Sequence, residues 1–94
     1  MKTLTKLRTE IDNIDEQIQE LLAKRASLAL KIAAAKKTLP VKTNFYCPER
    51  QQEILAKITA RNNSVLSDAD LIKIFQHIMS ACLAVQEQTN LEDL

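Results

Sequence analysis

The chain has 94 residues, 27% of them charged, and a formal net charge of +1, with acids and bases mixed along its length, which bounds it to one small domain. No glycine, two prolines and three aromatics (Phe45, Tyr46, Phe75) leave a helix-former composition, too poor in β-branched and aromatic runs for a sheet. The balanced charge disfavours nucleic acid and anionic membrane as main partners, and no apolar run approaches the ~18 residues of a membrane span.

The opening, MKTLTKLRTE, has no apolar core followed by a small-residue cleavage site, so no signal peptide is expected. Apolar residues then recur at Leu4, Leu7, Ile11, Ile14, Ile18, Leu21, Leu28 and Ile32, closing on Ala35. Steps of three and four predict one helix from Leu4 to Lys37, packed along its length against other helices. Such a helix is about 50 Å long, whereas a globule of this size has a radius of gyration of about 12 Å. It outruns its own protomer and needs a partner, most simply a second copy of the chain.

Two cations interrupt the seam. Arg25 stands where a leucine is expected, and Lys36 follows eleven residues later on nearly the same face, with the small residues Ala29 and Ala33 between them. In a seam, Arg25 reads either as a snorkelling or register-setting residue or as a guanidinium held for a carboxylate, which its planar fork matches. Lys36 alone could simply answer the helix dipole. The two lie roughly 16 Å apart along the axis, near enough for long side chains to share a small metabolite. Arg8 lies roughly 25 Å from Arg25, too far for the same ligand within one protomer, but an antiparallel pair of these helices would bring it to the partner's site.

Thr38 to Tyr46 carries Pro40 and no helical period, and reads as a loop. Pro48 fits the first turn of a second helix running to about Arg61, with Cys47 at the cap and Gln51, Ile54, Leu55 and Ile58 inward. Arg50 and Gln51 sit in that first turn, where exposed N–H groups favour anions. Asn62, Asn63 and Ser64 form a polar break. Ser67 with Asp70 resembles a capping box and starts a third helix over about residues 67–89. Its inward face is Leu71, Ile74, Phe75, Ile78, Met79, Cys82 and Leu83, and one further step reaches Gln86. Cys82 reads as a small core residue, Gln86 as a candidate ligand donor and His77 as surface. The tail from Asn90 to Leu94 loses the pattern and is expected to fray.

Cys47 and Cys82 have no metal spacing, so the expectation is two reduced thiols in a cytoplasmic protein and no metal site. The inward polar set holds no carboxylate pair, no Ser/His/Asp constellation and no Gly-rich loop. Cations and amides that converge this way bind a small polyanion, and catalyse, if they do, through orientation and electrostatics.

The segments LRTEIDNIDEQIQELLAKRASLALKIAAAK, PV, FYCPERQQEIL and IFQHIMSACLAVQ resemble the all-helical chorismate mutases, over about Leu4 to Gln86. The likeness is greatest to the mutase domain at the front of bifunctional chorismate mutase–prephenate dehydratases. It implies a three-helix protomer in an intertwined homodimer. It also implies cofactor-free rearrangement of chorismate to prephenate, in aromatic amino acid biosynthesis. By the same resemblance Arg8 reaches across to bind a substrate carboxylate and Arg25 holds one from its own protomer. Lys36 and Gln86 meet the ether oxygen, and Arg50 lies near the ring carboxylate. Gln51 stands where many members place a glutamate for the substrate hydroxyl, Cys47 near a frequent aspartate, and Cys82 in place of a serine. The competing expectation is a non-catalytic helical dimerisation or metabolite-sensing regulatory module. The choice between a whole enzyme and one domain of a fusion stays open, with the end at Leu94 giving the former a slight edge.

Overall fold

A computed structural model describes residues 2–41 and 43–92. It contains three helices, α1 (Lys2–Lys37), α2 (Pro48–Ala60) and α3 (Asp68–Glu92), and no strand among the described residues. The helices explain themselves locally. α1 has no internal breaker and ends with Lys36 and Lys37 in its last turn, where cations answer the exposed carbonyls. Pro48 opens α2, and the Gln51 N–H donates to the Cys47 carbonyl at 3.1 Å. Cys47 is extended at the cap, but its thiol makes no cap hydrogen bond.

Ser67 caps α3: its Oγ accepts from the Asp70 N–H at 3.1 Å, the forward half of a capping box. The polar break before it is organised by Asn62. That side chain donates to the Leu66 carbonyl at 2.9 Å and to Asp68 Oδ1 at 2.7 Å, and accepts from Ser64. α3 continues past the predicted fraying point at Asn90 to Glu92, because a helix once nucleated propagates cheaply without an apolar face. The last two residues of that predicted frayed tail, Asp93 and Leu94, lie outside the described residues.

α3 is the hub. It packs against both α1 and α2, while α1 and α2 nowhere bring their backbones together, so a cleft opens between them over α3. The core is small: Ala29 and Ala33 from α1, Ile58 from α2, Met79 and Cys82 from α3, with Gln86 buried beside them. Ile74, expected inward, is exposed at 45%. The molecule measures 60 × 28 × 15 Å with a radius of gyration of 17.0 Å, far more elongated than a globule of its length. The seam of α1 has no cover within the protomer: Leu4, Leu7, Ile11, Ile14, Ile18 and Leu21 are each 41–62% exposed. Burying the exposed half of such side chains is worth about 1 kcal/mol each.

Candidate active site

The cleft between α1 and α2 holds a half-open cavity of about 310 Å³, the size of a small-metabolite site. α1 supplies Arg25 and Lys36 from one wall, both half-buried. The loop and the first turn of α2 supply Cys47, Arg50 and Gln51, and α3 supplies Cys82 and Gln86 from the floor. Seven of the eight residues singled out in the sequence therefore line one space. The eighth, Arg8, is exposed on the far N-terminal part of α1 and does not reach it. His77 is exposed and off the cavity, as its phase suggests.

Spacing explains the convergence. Arg25, Ala29 and Lys36 follow one face of α1, and the two alanines let α3 approach closely. Cys82 and Gln86 are one turn apart on the α3 face that meets them. Gln86 is 7% exposed, and its Nε2 donates to the Ala29 carbonyl at 2.8 Å. Lys36 is also held: its Nζ donates to the Asn44 carbonyl at 2.9 Å and to the Phe45 carbonyl at 3.3 Å. Arg25 has no hydrogen bond or ion pair among the described residues, leaving its fork open toward the cavity.

Arg50 is engaged at the rim. Its Nη1 donates to Glu53 Oε1 at 2.8 Å, and Lys57 Nζ reaches the same oxygen at 3.2 Å. The Lys57 ammonium, with Arg50 beside it, holds the exposed Glu53 carboxyl below the usual carboxylate range. Cys47 Sγ lies 3.9 Å from Glu49 Oε2, a weak contact.

Two further contributions complete the cavity. One is the apolar wall of Leu28, Ile32, Phe45, Met79 and Leu83, which lowers the local dielectric around the cations. Leu28 and Ile32 are seam residues of α1, and Met79 and Leu83 belong to the inward face of α3 read from the sequence; Phe45, from the loop, is the member that periodicity does not place. The other is the loop main chain at Asn44 and Phe45, which nothing in the side-chain pattern announces.

The lining thus carries three cations and two side-chain amide or thiol pairs, and no carboxylate. Such a lining suits a small anion. Among the described residues, no group of three or more His, Cys, Asp or Glu could hold a metal ion, and no helix is long and apolar enough to cross a membrane.

Comparison with known proteins gives a consistent result. The family described as chorismate mutase type II matches residues 7–87. The bifunctional chorismate mutase/prephenate dehydratase of Aquifex aeolicus is 39% identical over 94 residues, covering 94% of this chain and 25% of that protein. The chain spans about a quarter of the length of such bifunctional relatives. The chorismate mutase of Methanocaldococcus jannaschii is 35% identical over 89 residues, covering 94% of this chain and 88% of that one. Among solved structures, chorismate mutase from Helicobacter pylori in complex with prephenate superposes with a TM-score of 0.85 at 35% identity, covering 100% of this chain and 99% of that one.

Proposed function

The chain belongs to the type II chorismate mutase family, and on that footing we propose that its cationic cavity rearranges chorismate to prephenate. The observation that carries this reading is the meeting of Arg25, Lys36, Arg50 and Gln86 in one small cavity without a carboxylate. Chorismate is a dianion whose rearrangement breaks a C–O bond and forms a C–C bond within one molecule, so the protein need neither donate nor remove atoms. Arg25 binds one carboxylate through its open fork, and Arg50 lies near the other. Holding both fixes the compact reactive conformer. Lys36 and Gln86 donate to the ether oxygen, where negative charge grows as the bond breaks, and so bind the transition state better than the substrate. Gln51 bonds the substrate hydroxyl without charge, while Cys47 and Cys82 complete the wall.

The working unit in this reading is a homodimer. The open seam of α1 supports it, because six Leu and Ile side chains there lack cover. Antiparallel pairing of two α1 helices would carry Arg8 of one chain to the cavity of the other, adding the cation that a single protomer lacks. Two free thiols, Cys47 and Cys82, suit a reducing cytoplasm. The test is incubation of purified protein with chorismate, following the loss of its absorbance and identifying the product by proton NMR. Prephenate is expected; unchanged chorismate would overturn the reading and favour a module that binds without catalysis.

A further inference from the structure

Lys36 stands in a wall between two spaces. On one side is the cationic cavity; on the other is a larger one of about 560 Å³, bounded by the loop that follows α1. Phe45 lies in the same wall. The ammonium is clasped there by two consecutive main-chain carbonyls, Asn44 at 2.9 Å and Phe45 at 3.3 Å. These residues belong to no helix or strand.

A lysine ammonium has three N–H donors on a flexible stem that carries about 2 kcal/mol of rotamer entropy. Left to itself, such a group samples many directions at the mouth of a cavity. Two carbonyls side by side take two of its donors and leave one. Lys36 also lines the cationic cavity, so the third donor is the one left for a ligand there.

We propose that the Asn44–Phe45 main chain is the positioning element for Lys36, setting the direction of its free N–H and thereby governing turnover rather than substrate binding. This rests on the reading that Lys36 acts at the ether oxygen. Charge appears on that oxygen only as the bond breaks, so a misdirected donor costs rate and leaves carboxylate binding at Arg25 intact.

The chain offers a direct test, because Cys47 is a ligation point immediately after the loop. A synthetic 1–46 segment joined to 47–94 allows Phe45 or Tyr46 to be replaced by its α-hydroxy acid. Each replacement turns the preceding amide carbonyl, of Asn44 or Phe45, into a poorer ester acceptor and keeps every side chain. Neither the Phe45 nor the Tyr46 N–H donates a hydrogen bond among the described residues, so little else is lost. With both esters in place, kcat is expected to fall about three- to tenfold at unchanged KM, with no further fall in a Lys36→Ala background. An unchanged kcat, or a raised KM with kcat intact, would overturn the proposal. Lys36→Ala alone separates the premises: if it keeps full turnover, the catalytic role of Lys36 fails and the positioning role with it. If it abolishes turnover while the esters do nothing, only the loop's role fails. A measurement on the unmodified protein guards against misfolding of the ester forms. The Lys36 ammonium should give a slowly exchanging 15N signal in the free protein, and exchange as fast as that of the other lysines would contradict the clasp.

Discussion

The side-chain amide of Gln86 donates to the main-chain carbonyl of Ala29 at 2.8 Å, joining α3 to α1 across 57 residues. A carbonyl only accepts, so Nε2 must be the atom that faces α1, and the orientation of the amide is settled by its partner. Its second N–H and its oxygen are left for the cavity that Gln86 lines. One residue therefore fastens the two helices and presents a donor whose charge state does not change with pH.

That neutrality has a kinetic consequence. Turnover should stay level between pH 6 and 8 as far as this position is concerned. The Gln86→Glu variant reverses this, because a carboxylate cannot donate and would face the Ala29 carbonyl with its own lone pairs. Only its protonated form can act, and burial raises the carboxyl pKa, so its activity should rise as pH falls. Gln86→Ala should lose roughly 10²-fold in kcat, the usual cost of one donor to a developing oxyanion. A kcat profile measured across this range checks both; a steep decline in the wild type that vanishes in Gln86→Ala would refute the argument.

Arg25→Ala should abolish measurable turnover, and Arg25→Lys should recover little, since an ammonium cannot reproduce two parallel bonds to a carboxylate. Arg25 is half-buried and has no partner of its own among the described residues, so the substitution should leave helical content unchanged. Steady-state kinetics with circular dichroism separates loss of the site from loss of the fold.

Much of this was legible in spacing. Arg25 and Lys36 stand eleven residues apart on an otherwise apolar seam, and Gln86 continues the buried face of α3 from Cys82, so their inward placement follows from helical periodicity alone. Gln51 was placed the same way from its phase with Ile54 and Ile58. Three features were not legible, each for a physical reason. The clasp on Lys36 is made by main-chain carbonyls, which carry no residue code. The extension of α3 beyond Asn90 rests on backbone propagation, which an apolar pattern does not report. Ile74 has the phase of a core residue but lies at 45% exposure, because α1 and α2 flank α3 too thinly to bury its whole face.

Ala33 is only 2% exposed where α1 meets α3. Ala33→Leu should destabilise by about 1–3 kcal/mol through overpacking, and should also push α1 from the Gln86 amide. Urea unfolding gives the first effect and kcat the second. A variant as stable as the wild type would show that the two helices are less tightly apposed than described.

Glu53 links Arg50 and Lys57 on the open side of α2. Its carboxyl pKa is depressed in the folded chain, so its contribution is present above the unfolded carboxylate value and is lost as pH falls through the folded one. The stability difference between wild type and Glu53→Gln should therefore shrink in acid, and also in high salt because the group is exposed. Chemical denaturation at neutral and acidic pH reads this, and a difference that grows in acid would contradict it.

The proposed two-chain site is tested most directly by mixing Arg8→Ala and Arg25→Ala, each expected to be inactive alone, after unfolding and refolding them together. In a mixed dimer one cavity would hold both defects, while the other would combine an intact Arg25 with an intact Arg8 from its partner. Random pairing at equal amounts makes half the dimers mixed, each with one sound site, so chorismate turnover should return to about a quarter of the wild-type rate. A mixture as inactive as either parent would contradict the claim that Arg8 of one chain completes the cavity of the other.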